Sequence, residues 1–145
     1  MRGQLWDLNI YCAPLAGGGE PLKLISSTLR DQDAVYAPDG RIAWISDRSG
    51  SREIWISGGD GSGQTQVTNF ACPQIDHLQW SPDGSRLAFD SRPNGQADIF
   101  LLACDPVAMR CGQPARVAAG GPAGSPGWSA DGKFPLICFS PDGPA

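Results

Sequence analysis

"QWSPDGSRLAFDSRPNGQADIFLL" (residues 79–102) decides the fold, because the chain contains it twice. The counterpart is "VYAPDGRIAWISDRSGSREIWIS" (residues 35–57). In both, an aromatic comes first, then x-Pro-Asp-Gly, a basic residue and an apolar run. Asp and Ser follow in either order, then Arg, a Gly-containing turn, an acid and Ile-aromatic. Taken alone, Asp83 and Asp90 could be a reactive carboxylate pair. Taken as a repeat, they are turn-makers at the two ends of one strand.

A third copy opens at "GWSADGKFPLICF" (residues 127–139), and a fourth shows only its tail, "DLNIYCAPLAGGGEPLKLIS" (residues 7–26). Asp39 to Asp83 is 44 residues and Asp83 to Asp131 is 48. A period of about 40–45 residues with four strands per unit marks a propeller blade. The expected class is all-β, with blades of four antiparallel strands. Strand A falls near Ala34–Ala37 and Leu78–Ser81, and strand B at Arg41–Ser46 and Arg86–Asp90. Strand C falls at Glu53–Ser57 and Asp98–Leu102, and strand D near Thr65–Thr68 and Ala115–Ala118. Each is short, rich in Ile, Val, Trp and Phe, and bounded by turn residues. Strand B is apolar on consecutive residues, as a strand with sheets packed on both faces should be.

The whole chain, 1–145, therefore reads as one partial propeller domain. It holds the C-terminal half of a blade (7–26), complete blades (33–70 and 76–119), an N-terminal half (126–139) and an irregular tail (140–145). Pro135 interrupts strand B of the third copy, since proline removes a ladder donor. A further "FSPDG" (139–143) arrives too early.

Ser81-Pro82-Asp83-Gly84 fits a type I turn, with proline presetting φ, Asp bonding nearby N–H groups and Gly favoured last. Pro38-Asp39-Gly40 and Asp131-Gly132 read the same way. A residue present in every blade belongs to the blade's construction, whereas a catalyst needs one unique setting with a positioned partner. Asp47 and Asp90 are placed at the B–C hairpins, bonding to backbone or to the arginines that follow them, Arg48 and Arg92.

Composition narrows the function classes. Gly 19 and Pro 13 suit many turns, and 145 residues suit one domain. A net charge of −4 without a basic cluster argues against nucleic-acid binding by this segment. No apolar run reaches the roughly 18–20 residues of a membrane span. The N-terminus lacks the pattern of a signal peptide. Five cysteines, Cys12, Cys72, Cys104, Cys111 and Cys138, form no C-x-x-C pair, and His77 is the one histidine. A zinc site is therefore not expected, nor any other cofactor. Cys104 and Cys111 flank the polar loop "DPVAMR", so a disulfide across its neck and two free thiols are both open. An odd count leaves at least one thiol unpaired within the chain.

Three motif look-alikes fail. "GWSADGKF" has Phe134 where a phosphate-binding loop needs Ser or Thr. "GGDGSGQTQ" (58–66) has Gly63 where a calcium β-roll needs Asp, so it reads as a flexible C–D loop with at most weak cation binding at Asp60. "AGSPG" (123–127) approaches a nucleophile elbow, but no histidine follows Ser125.

The two "PDG…" units resemble the Pro-Asp-Gly, WD40-like repeats of TolB-type β-propellers, over nearly the whole chain from Asp7 to Phe139. They are also similar to propellers that follow a winged-helix DNA-binding domain in some bacterial regulators, and to the propeller of prolyl-oligopeptidase-like serine peptidases. The resemblance implies a six-bladed ring, a periplasmic setting and a non-enzymatic protein- or peptide-binding scaffold. The alternatives it implies are an accessory peptidase domain or a regulator's sensor. Partner contacts are expected at Arg48, Arg52, Arg92 and His77, with Trp80 and Trp128 nearby. Propellers close with roughly four to eight blades. Two whole blades and two halves thus predict a piece of a longer propeller or, less favoured, copies that self-associate to complete a ring.

Overall fold

Corners that end in Asp-Gly reverse the chain tightly when the glycine takes a left-handed backbone. In the computed structural model of the chain, Gly40, Gly84 and Gly132 do so, with φ of 91°, 73° and 70°. Each closes its turn by donating its N–H three residues back: Gly40 to Ala37 at 2.9 Å, Gly84 to Ser81 at 2.8 Å and Gly132 to Ser129 at 2.9 Å. The structure describes residues 8–71, 74–93, 95–121, 124–133 and 135–138. The early "FSPDG", the tail 140–145, Asp7 and Cys72 lie outside them.

Strands β3 (Asp31–Tyr36), β4 (Ile42–Ser46), β5 (Glu53–Ser57) and β6 (Thr65–Gln66) form a four-stranded antiparallel sheet in sequence order. Strands β7 (Ile75–Trp80), β8 (Arg86–Ser91), β9 (Ala97–Asp105) and β11 (Ala115–Gly121) form the next, and β10 (Arg110–Cys111) pairs with the far end of β9. Two-stranded sheets stand on either side: β1 (Ile10–Cys12) with β2 (Leu22–Ile25), and β12 (Gly124–Trp128) with β13 (Pro135–Cys138). This is the blade arrangement of a β-propeller. β3 packs on β7 and β7 on β12, so the first strands of successive units lie side by side.

The expected interruption at Pro135 is corrected. β13 begins at Pro135, which pairs with Trp128. A proline as first residue of a strand costs no ladder donor that the strand needs. Part of the C–D loop at 58–66 packs closely on its neighbours. A Cβ on Gly61 (φ 83°) would collide with the Leu24 carbonyl of β2, and one on Gly59 would lie 2.7 Å from the Gly40 carbonyl oxygen.

The alternating faces explain the consecutive apolar residues of β4. Ala43 and Ile45 join Ile54, Ile56, Leu78, Leu87, Phe89 and Phe100 in the core between the two full blades. Ile42 and Trp44 face the other way, onto Ile25 of β2. Phe70 packs edge-on to Phe89 and Phe100, with centroids at 5.8 and 5.1 Å. Burying side chains of this size stabilises by about 1.5–3 kcal/mol each, so the contact between blades is the main source of stability.

The corners also stack from blade to blade. A Cβ on Gly84 would meet Pro38 Cδ at 3.4 Å, and one on Gly132 would meet Pro82 Cδ at 3.3 Å. Arg41 closes the first junction. Its Nη2 donates to the Gly84 carbonyl at 2.6 Å, its Nε to Asp39 Oδ2 at 2.8 Å, and its guanidinium lies 4.7 Å from the Trp80 ring centroid.

Candidate functional site

The two full blades share a backbone but differ by one residue in the corner. Ala37 N–H bonds to the Arg41 carbonyl, whereas Ser81 N–H bonds to the Arg86 carbonyl, one residue further on. The strand pairing follows: β3 aligns Gln32 with Ile45, and β7 aligns Asp76 with Asp90. Asp90 therefore stands where the first blade has Ile45, within the strand. The expectation that Asp90 sits at the B–C hairpin beside Arg92 is corrected, because the extra residue shifts everything after it by one.

At that inner position Asp90 is 1% exposed, so its carboxylate needs a partner. His77 supplies one, with Nδ1 2.7 Å from Asp90 Oδ1. His77 occupies a register break of β7, between Asp76 and Gln79, with a left-handed φ of 56°. Asp33 sits in the matching break of β3 with φ 54°. The bulged backbone is thus shared, and only the second blade adds a histidine and a buried carboxylate to it. A carboxylate accepting the Nδ1–H leaves Nε2 as the outward nitrogen. The imidazole is 51% exposed, so that nitrogen can meet a ligand.

Other residues singled out by the sequence lie at the same end. Arg52 Nη2 reaches Asp76 Oδ1 at 3.2 Å, bridging the first blade's hairpin to β7. Arg92 is exposed on the second hairpin, its N–H bonded to the Gln74 carbonyl at 3.3 Å. The fold thus brings Arg52, His77 and Arg92 to one end. Arg48 is turned inward instead. Its Nη2 bonds Asp31 Oδ1 at 2.7 Å, its Nη1 bonds Gln64 at 2.5 Å, and its guanidinium lies over Trp55 and Trp44. Asp47 accepts the Arg30 N–H at 2.8 Å. Trp80 is buried, and half-buried Trp128 donates to the Gln79 carbonyl at 3.0 Å.

The recurring aspartates sit at the opposite end as turn locks. Asp83 Oδ1 accepts from the Ser81 hydroxyl at 2.7 Å and from the Ser85 N–H and hydroxyl at 3.0 and 2.8 Å. The Ser81 hydroxyl, then the Ser85 groups, hold its pKa down at about 2. Asp131 is lowered in the same way by the Ser129 hydroxyl and the Lys133 N–H. Asp39 accepts the Arg41 N–H at 3.2 Å. Asp60 bonds Ser62, whose hydroxyl and N–H lower its pKa.

Cys104 and Cys111 form a disulfide across the neck of the "DPVAMR" loop, and Cys12 is free and exposed. Buried Glu53 is another carboxylate with every contact inward. It accepts from the Thr68 and Ser51 hydroxyls at 2.5 and 3.0 Å and from the Phe70 and Ala71 N–H groups at 3.1 and 2.8 Å. Among the described residues no group of three or more His, Cys, Asp or Glu is placed to hold a metal ion. No helix there is long and apolar enough to cross a membrane.

No protein-family model and no curated protein matches the sequence. A solved structure of oligogalacturonate lyase in complex with manganese, a β-propeller protein, is similar with a TM-score of 0.57 and 23% identity. The match covers 79% of this chain and 31% of that one, so the chain spans about a third of its length. The likeness establishes the fold: the chain is all-β and corresponds to part of a β-propeller.

Proposed function

We propose that this chain is a non-enzymatic section of a β-propeller that binds an acidic segment of a protein or peptide at the end carrying the B–C hairpins. The observation that carries the reading is the His77–Asp90 pair, present in one blade only, at the end whose hairpins carry Arg52 and exposed Arg92. Four carboxylates toward this end, Asp31, Glu53, Asp90 and Asp98, are buried. Solvent-facing Asp83, Asp105 and Asp131 lie toward the other end, while exposed Asp33 and half-buried Asp47 and Asp76 share the hairpin end. Loops held on a rigid sheet are where propellers place binding groups. The Cys104–Cys111 bridge supports an oxidising compartment such as the periplasm. The resemblance to TolB-type repeats points the same way.

The test is fluorescence anisotropy with a labelled short poly-glutamate peptide. Arg92→Glu is expected to weaken binding by about fivefold or more, since one charge reversal at a partly desolvated contact is worth about 1 kcal/mol or above. Lys133→Glu, exposed at the opposite end, should leave affinity unchanged. Equal losses in both variants would rule out a specific docking end.

A further inference from the structure

Resting on that reading, we infer that His77 and Asp90 form a proton-linked anion site, in which protonated His77 bridges the buried carboxylate and a carboxylate of the partner. The first argument comes from the repeat. The position of Asp90 holds Ile45 in the first blade, inside the core. Replacing a buried isoleucine by a carboxylate costs stability unless the charge is compensated. A cationic imidazole compensates it, and a neutral one only hydrogen-bonds it.

The second argument is direction. With Nδ1 committed to Asp90, the half-exposed ring can offer only Nε2 outward. Neutral, that nitrogen is an acceptor and repels an anion's lone pairs. Protonated, it is a charged donor, and charge-assisted hydrogen bonds are roughly twice as strong as neutral ones.

Of the neighbouring acids, all but exposed Asp33 have a cationic partner. On β7 itself Asp76 is paired with Arg52. On β8 the facing group is Asp90. β12 packs against β7, β8 and β9, and its sequence, Gly-Ser-Pro-Gly-Trp, has no ionisable residue. β9 contributes Asp98, paired with Arg116 at 3.4 Å. On the other side β3 brings Asp31, paired with Arg48, and exposed Asp33. Proton uptake by an imidazole between Asp90 and an incoming carboxylate is therefore favoured by both.

The linkage has a definite sign. A ligand that binds the protonated form better gains affinity as pH falls. The experiment is the poly-glutamate anisotropy titration repeated between about pH 5.5 and 8, where Glu side chains stay ionised. The intact chain should bind about five- to tenfold more tightly at the acid end of that range. His77→Asn, which tolerates the left-handed backbone, should flatten the profile at the alkaline affinity. Asp90→Asn should reduce the slope while circular dichroism shows the fold retained. Tight binding with a flat profile in the intact chain would overturn the proton linkage and leave the docking end standing. Absence of binding at every pH would overturn both.

Discussion

At the scale of the residue, Asp83 and Asp90 show how the same side chain serves two ends. Asp83 faces water and is saturated by Ser81 and Ser85, so it is a turn lock with a carboxyl held at about 2. Because the folded value lies below the ordinary carboxylate value, the turn's contribution is complete above about pH 4. It fades as pH falls through about 2. NMR titration of the carboxyl carbon should find Asp83 at that low value, and Ser81→Ala should move it up toward the ordinary range. An unshifted carboxyl in the intact chain would contradict the lock. Asp83→Asn should leave peptide binding unchanged. Gly84→Val should cost about 2–3 kcal/mol or more, since a β-branched residue is forced to positive φ. Urea denaturation reads that loss.

At the scale of the element, buried carboxylates divide into two kinds. Glu53 ties β5 to the segment leading out of β6 through three donors and takes a fourth from Ser51, so Glu53→Ala should destabilise by about 3 kcal/mol, leaving several of those donors unpaired. Asp90 has the opposite signature. Asp90→Ile, which restores the first blade's residue, should raise the urea midpoint, because replacing a buried charge with an apolar side chain is neutral to stabilising by about 1–4 kcal/mol. A lower midpoint would mean that Asp90 supports the fold. The disulfide belongs to this scale too. Opening the Cys104–Cys111 loop by Cys104→Ser with Cys111→Ser should cost about 2–3 kcal/mol from the freed chain entropy.

At the scale of the whole molecule, the blades were legible because their signals are local. Pro-Asp-Gly corners, alternating apolar runs and the Ile-aromatic anchor each fix a strand within a few residues, and β5 spans Glu53–Ser57 as the pattern reads. The strand at Pro135 is not legible in the sequence because a proline's cost depends on where the strand begins. His77–Asp90 was not legible as a pair, because it depends on a register break in β7 and on one extra residue in the preceding corner. A trace of that residue was visible: the stretch 79–102 is one residue longer than 35–57. Aligned on the corner's far side, Asp90 falls on Ile45 and stands out at once. The inward turn of Arg48 is not legible either, since its partners Asp31 and Gln64 are distant in sequence.

The central claim is that the chain binds its partner at the end with the B–C hairpins and that the Pro-Asp-Gly end only builds the fold. Backbone amide shifts recorded during titration with the poly-glutamate peptide test it most directly. The account predicts perturbations clustered at Arg52, Gln74 to His77, Arg92 and Gly95, with Gly40, Gly84 and Gly132 unmoved. Shifts concentrated at those three glycines, with the hairpin end silent, would contradict it.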